Sequence, residues 1–346
     1  MRPVPFFDAH CDTVMKVLDG EADFLSGAGK SHIDYPAMLD GGVRTQIFAA
    51  CVTSQEYPGQ EAERVDAMIR TIGEMAESTG GGMAIARTSA EIERAFHDGP
   101  IAALLGIEGA DCLEGRAENL RRYAEAGVRD LIFSWSDNPF SGTTFGDGGP
   151  LTCEGERLLG LAEELHVMVD VSHLSDVAFA DVCRVATRPF VASHSNCRSI
   201  CPSPRNLTDA MIRSMADAGG VMGINLATWF LEPTSYLETE WRRRAAERPG
   251  ASAEEKSRML AEVKALPRPS LEWVARHVVH AVRVGGEDCV GIGGDLDGIY
   301  QTPAGLEGIA DYPRIVAILH DAGLSESQIE KVSHRNFRRV FRDVLD

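Results

Sequence analysis

Eight short apolar runs recur along the 346 residues, and each is apolar throughout rather than alternating. They are PFFDAH (5–10), TQIFAACV (45–52), IAALLGIEG (101–109), DLIFSWS (130–136), HVMVDVSH (166–173), PFVASH (189–194), GVMGINLA (220–227) and CVGIGGD (289–295). Unbroken apolarity over so short a span is what a strand buried on both faces requires, and parallel sheets bury both faces. Amphipathic segments separate the runs, among them EAERVDAMIRTIGEMAEST, ENLRRYAEAG, CEGERLLGLAEEL and LEWVARHVVHAVRVG. Several end in Gly, the usual residue just past a helix, and Asp209 and Ser270 are placed as helix N-caps. Eight strand–helix units predict an α/β fold, a (β/α)8 TIM barrel. A doubly wound sheet is the alternative, but no GxGxxG follows the first run. Residues 228–269, after the seventh run, are polar, charged and long. They read as a helical insertion near the barrel mouth. No linker composition interrupts the chain, so one barrel domain over 1–346 is expected.

Acidic residues number 52 against 34 basic ones, a net charge of −18. That balance argues against nucleic acid or an anionic membrane surface as partner, since both reward basic patches. No apolar stretch approaches the roughly 18 residues of a membrane span. The N-terminus lacks a leader-like apolar core, so the expected location is the cytoplasm. The eight Cys form no CxxC pair and read as free thiols, mostly buried.

The ionisable residues at the ends of the runs carry the functional signal. His10 and Asp12 stand two apart, a spacing that turns both side chains of a strand to one side. Glu108 ends the third run, His173 the fifth, His194 the sixth and Asp295 the eighth. Taken singly, each could cap a helix or pack against a loop. Together they bring six residues of metal-ligand type to the C-terminal ends of barrel strands, where active sites of this fold gather. Imidazoles and carboxylates without thiolate suit zinc. Three His and three carboxylates exceed the needs of one catalytic ion, which points to two Zn2+ ions sharing a carboxylate and a hydroxide. Such a pair acidifies water and polarises a carbonyl, and a neighbouring carboxylate can move the proton to a leaving nitrogen.

The segments DAHCDT, HIDYPAMLDGGVRTQIFAACV, GIEGAD, DVSHLSD, VASHSNCRSICPSPRNLTDAMI, GGVMGINL and GIGGDLDGI carry a resemblance that covers nearly the whole chain. Through them the chain resembles the renal or membrane dipeptidases, binuclear zinc hydrolases with an amidohydrolase-like barrel. The resemblance implies that His10, Asp12 and Asp295 hold one zinc and that His173 and His194 hold the other. It makes Glu108 the bridge, Asp295 also the proton shuttle, and Arg205 the residue that binds the substrate's C-terminal carboxylate. A guanidinium fork suits that task. Asn206 is read as holding the Arg205 loop. A homodimer and tolerance of a D-residue at the second position are further implications.

One segment departs from the family pattern. Where the family has a substrate-binding His after the fourth strand, LIFSWSDNPF places Trp135, with Asn138 keeping the register. Indole donates one hydrogen bond and carries no positive charge. Asp137, Trp229 and Tyr236 are candidates for shaping the same pocket. Two enzyme readings follow: a dipeptidase, or a zinc amidohydrolase acting on another small amide, lactone or N-acyl compound. A barrel kept only as a binding scaffold is disfavoured, because buried carboxylates are costly without cations.

Overall fold

The computed structural model describes residues 4–247 and 252–346. Nine parallel strands form its sheet: β1 Phe6–Cys11, β2 Val43–Cys51, β3 Met83–Ile85, β4 Ile101–Glu108, β5 Val128–Ile132, β6 Met168–Asp170, β7 Val191–Ala192, β8 Val221–Ile224 and β9 Val290–Ile292. The order runs β2-β1-β9-β8-β7-β6-β5-β4, and pairing of β2 with β4 closes the ring. This is a closed eight-stranded parallel barrel with helices around it, as the eight apolar runs predict. β3 is an addition. It pairs with the start of β4 through Met83 and Ile101. With only three residues, of which only Met83 is buried, it has no apolar run to announce it.

The strands are shorter than the runs. β7 holds two residues and β9 three, so His194 and Asp295 lie past the ladder rather than at its last rung. His173 likewise follows β6 by three residues. His173 and Asp295 adopt left-handed backbone, with φ of 70° and 55°. Non-glycine residues pay conformational strain there, and such strain concentrates at functional sites.

The core has two parts. One fills the space between strands and helices. The other packs Phe7, Ile47, Leu104, Met168, Val191 and Val221 against Phe337 and Phe341 of the C-terminal helix Asn336–Leu345. Phe7, Met168, Val191 and Val221 lie at or next to the starts of their strands, and Ile47 and Leu104 reach the middles of the longer β2 and β4. The C-terminal helix therefore plugs the N-terminal end of the barrel and leaves the opposite end for chemistry.

Thr208, rather than Asp209, caps the helix Asp209–Asp217, its hydroxyl accepting from Met211 N at 3.2 Å. Asp209 is the first helical residue and meets His280 Nε2 at 2.8 Å. Ser270 Oγ accepts from Glu272 N at 3.3 Å, although Leu271 occupies the cap position of Glu272–Gly285.

Residues 228–269 contain the helices Thr228–Leu231, Pro233–Glu247 and Ala253–Lys264. They reach loops beyond three strands. Arg243 lies over the Phe145 ring at 4.9 Å, Asn206 Nδ2 donates to Phe230 O at 2.9 Å, and Gln301 Nε2 donates to Leu266 O at 2.7 Å. All three loops are on the C-terminal face, so the excursion lies along the mouth.

His277 ties this excursion to the loop after β7. Its Nδ1 accepts from Cys197 N at 3.0 Å and its Nε2 donates to Leu231 O at 2.9 Å. Burial pulls its pKa down to about 4. The unfolded chain binds this proton below about pH 6.5, whereas the folded chain does so only near pH 4. Stability from neutral His277 is thus complete above pH 6.5 and is lost as pH falls toward 4. The loss is about 3 kcal/mol. Unfolding free energies of wild type and His277→Gln should converge by about that amount over this window. A constant difference between them would show that His277 does not titrate there.

Candidate metal centre and substrate site

The six ligand-type residues converge at the C-terminal end of the barrel. His10 Nε2 lies 3.6 Å from Asp12 Oδ2, 3.3 Å from Glu108 Oε2 and 4.0 Å from Asp295 Oδ1. His173 Nε2 lies 2.9 Å from Glu108 Oε1, and His194 Nε2 lies 3.5 Å from the same oxygen. The two imidazole Nε2 atoms are 3.1 Å apart. Glu108 therefore presents one oxygen to His10 and the other to the His173–His194 pair. Two triads, His10–Glu108–His194 and His10–Asp12–Asp295, each have donor atoms within 4.8 Å of one another.

Local structure explains these positions. Glu108 is the last residue of β4. Asp12 stands at the start of the helix Thr13–Leu18 but makes no capping hydrogen bond, which leaves its carboxylate to the cluster. Ser193 Oγ lies 2.7 Å from His194 Nδ1, so Nε2 is the nitrogen that faces Glu108. Asn225 Nδ2 donates to Asp295 Oδ2 at 2.7 Å.

The donor set fits a cation. Nδ1 and Nε2 of His10 and Oδ1 of Asp12 are buried with no hydrogen-bond partner. Each such atom costs about 1–3 kcal/mol, and ion coordination removes that cost. Burial, with the Glu108 charge adding to it, pushes the Asp12 carboxyl well up, and burial pushes Asp295 up to about 6. Burial and Arg205 pull His173 down to about 4, and burial and His10 pull His194 well down. Neutral imidazole is the form that binds metal. Burial also opposes charge on His10, but Glu108 and Asp12 outweigh it and hold this imidazole high. Cys51 borders Asp12 and Glu108. Burial and the Glu108 charge push its thiol well up, which keeps it from thiolate chemistry.

Arg205 is 2% exposed, and it is no surface ion pair. Its Nη1 donates to Ser195 Oγ at 2.6 Å, while Nε and Nη2 have no partner. Burial pulls the guanidinium down to about 10, with Asp295 the largest opposing charge. A buried fork with free donors is built for an anion. Asn206 holds the loop, donating to Cys201 O and Phe230 O at 2.9 Å each.

Trp135 is 45% exposed, with its ring 6.1 Å from that of His173. It forms a wall of the mouth. Asp137 does not reach the pocket as a wall residue; its carboxylate accepts from Thr143 N at 2.8 Å and Asp147 N at 2.6 Å and so shapes the loop. A Cβ at Gly146 would stand 1.9 Å from Asp137 Oδ1, so this turn needs glycine. Trp229 packs on Tyr300 at 5.3 Å. Asn138 keeps the register by donating to Phe133 O at 2.8 Å.

Several positioning residues escape a sequence reading. Asp8 accepts from Tyr312 Oη at 2.6 Å and Gly294 N at 2.8 Å, joining β1 to the loop that carries Asp295. Asn225 supports Asp295 from the end of the neighbouring strand, and Ser193 and Ser195, on either side of His194, support His194 and Arg205. Asp130 and Asp170 are buried in the barrel, where burial and mutual repulsion push the Asp130 carboxyl well up. Only the spatial neighbourhood marks Asp8, Asn225, Asp130 and Asp170, whereas Ser193 and Ser195 flank His194 in the chain.

A family model for the membrane dipeptidases, peptidase family M19, matches residues 1–346. A Klebsiella pneumoniae protein described as an uncharacterised protein in the pqqA 5′ region is 31% identical over 295 residues, covering 83% of this chain and 98% of its own. The solved dipeptidase AC, a metallopeptidase of family M19, is 28% identical with a TM-score of 0.84 over 99% of both chains. A metallopeptidase from Rhodobacter sphaeroides, solved with a phosphinate mimic of the dipeptide L-Ala-D-Ala, is 27% identical with a TM-score of 0.84 over 99% of both chains. Among the described residues no helix is long and apolar enough to cross a membrane. Matched from end to end and sharing the barrel of solved dipeptidases, this chain belongs to the membrane dipeptidase family, peptidase family M19, and is a metal-dependent dipeptidase-type hydrolase.

Proposed function

We propose that the enzyme is a binuclear zinc dipeptidase cleaving the single amide bond of small dipeptides, L-Xaa-D-Xaa among them. The observation that carries this reading is the split carboxylate of Glu108, one oxygen toward His10 and the other toward His173 and His194. His10, Asp12 and Asp295 would hold one zinc, His173 and His194 the other, and Glu108 would bridge them. When bound, the ions supply an acidified water as nucleophile and polarise the scissile carbonyl. The relative solved with a mimic of L-Ala-D-Ala supports a dipeptide with a D-residue at its second position.

The chain's own residues then divide the work. Arg205 takes the free C-terminal carboxylate and sets the distance to the amide. Asp295, steadied by Asn225, accepts the proton of the attacking water and passes it to the leaving amine. Trp135 walls the mouth beside His173 and favours substrates that stack on indole.

Zinc counted per chain, with turnover of L-Xaa-L-Xaa, L-Xaa-D-Xaa and N-acyl amino acids on the same sample, tests the reading. Two zincs with dipeptide turnover support it; two zincs with turnover of N-acyl compounds alone would replace it. Arg205→Ala should raise KM for dipeptides by about 100-fold, since truncating one partner of a buried charge pair costs about 3 kcal/mol. The same variant should barely change KM for the C-terminal amide. Equal losses on both substrates would remove Arg205 from carboxylate recognition.

A further inference from the structure

The half of the metal centre built from His10, Asp12 and Asp295 straddles the seam between β1 and β9. Regular pairing is thin there: Asp8 meets Ile292, the residue at which β9 ends. Asp295 lies further along, on left-handed backbone. Two backbone hydrogen bonds continue the seam, from Asp295 N to His10 O at 3.0 Å and from Asp12 N to Leu296 O at 2.9 Å. Both depend on the 294–296 segment lying at a fixed height against the end of β1.

The Asp8 carboxylate supplies that hold. It is fully buried. Its Oδ1 accepts from Gly294 N at 2.8 Å and from His10 N at 3.2 Å, one donor from each side of the seam. Its Oδ2 accepts from Tyr312 Oη at 2.6 Å. A hydrogen bond to an ionised group is roughly twice as strong as a neutral one, and a buried carboxylate is costly without such donors. Tyr312 is itself fully buried. It precedes the helix Pro313–Asp321, and its ring packs edge-on against Phe6 at 5.1 Å. A Cβ at Gly294 would stand 2.3 Å from Tyr312 Oη and 3.2 Å from Asp8 Oδ2. That close approach reserves the position for glycine and makes hydroxyl, carboxylate and Gly294 backbone one packed unit.

The other half of the centre is held separately. His173 and His194 follow β6 and β7, and Ser193 Oγ orients the His194 ring. Among the described residues no hydrogen bond or ion pair links Asp8 or Tyr312 to Glu108, His173 or His194.

Resting on the binuclear reading above, we propose that Tyr312, acting through Asp8, is a positioning residue for one half of the centre. It sets the affinity of the ion held by His10, Asp12 and Asp295 and leaves the ion at His173 and His194 alone. Tyr312 touches no proposed ligand. It acts by fixing the backbone on both sides of the seam, and so the places of the three donor side chains.

The test measures zinc affinities of metal-free proteins by competition with a chromophoric chelator, with unfolding temperatures read beside them. Tyr312→Phe keeps the ring on Phe6 and removes the hydroxyl. It should weaken one of the two zincs by about 10- to 100-fold, the usual cost of losing an outer-shell partner. Two backgrounds assign the site. With His194→Ala, which spares the His10 half, the loss should persist. With Asp12→Ala, which spares the other half, Tyr312→Phe should change affinity by less than about twofold, as independent sites do. Asp8→Asn should reproduce the loss, and adding Tyr312→Phe to it should cost less than about twofold more, because both break one chain of contacts. A merely structural role would lower the unfolding temperature and weaken both zincs alike. That result, or unchanged zinc affinities, overturns the proposal and leaves the binuclear reading standing. Should Tyr312→Phe fail to fold, Asp8→Asn in the same two backgrounds is judged by the same outcomes. A wild type that binds a single zinc overturns both.

Discussion

Glu108→Gln is expected to lower kcat/KM on dipeptides by about 10³-fold, the loss of about 4 kcal/mol of the several that metal-ion catalysis supplies. The reason is geometric. Oε2 faces His10 at 3.3 Å and Oε1 faces His173 at 2.9 Å, so one carboxylate serves both halves of the cluster. The amide keeps the shape but gives one half a weak neutral oxygen and the other an NH2 group that cannot ligate a cation. Zinc per chain should therefore fall along with activity. A second readout separates folding from ligation. Zinc stabilises the native wild type by mass action, so its addition raises the unfolding temperature. In Glu108→Gln that zinc-induced shift should shrink. It is read against the variant's own metal-free unfolding temperature, which should fall because the carboxylate that His10, His173 and His194 hold well down, against its burial, is gone. Full zinc content with near-normal turnover would show that Glu108 joins no pair of ions.

Asp295→Asn is expected to reduce kcat by about 10²-fold or more, the usual contribution of a positioned general acid–base. Asn225 Nδ2 donates to Asp295 Oδ2 at 2.7 Å, which fixes the carboxylate with its other oxygen toward His10. An asparagine can hold a similar pose and still offer an oxygen to a cation, but it cannot accept and return a proton. Zinc content read beside kcat divides the two roles. Retained zinc with lost kcat assigns Asp295 to proton transfer. Lost zinc assigns it to ligation, and retained activity removes it from both.

Much of this site was legible from residue types and order. The eight apolar runs foretold the closed barrel, and His10, Asp12, Glu108, His173, His194 and Asp295 meet because the fold brings strand ends to one face. The lengths of the strands were not legible. Polar loop residues after β6, β7 and β9 continue the apolar runs in sequence but leave the hydrogen-bonded ladder, and two of them turn left-handed to aim their side chains inward. β3 was hidden because three residues carry no periodicity. Asp209 and Thr208 are both good caps, and the backbone chose Thr208. Asp137 stands beside Trp135 in sequence, but its carboxylate turns back to its own loop.

The sequence by itself determined the barrel, the set of ligand-type side chains and the resemblance to a family, because these depend on local hydrophobic pattern and on residue identity at repeated positions. Only the tertiary structure decided which oxygen of Glu108 faces which histidine, that Arg205 is buried with free donors, and that Tyr312 meets Asp8. Those facts join residues from different strand ends and loops of the chain. They are set by where closed strands and an inserted helix place side chains in space, and no spacing along the chain encodes such distances.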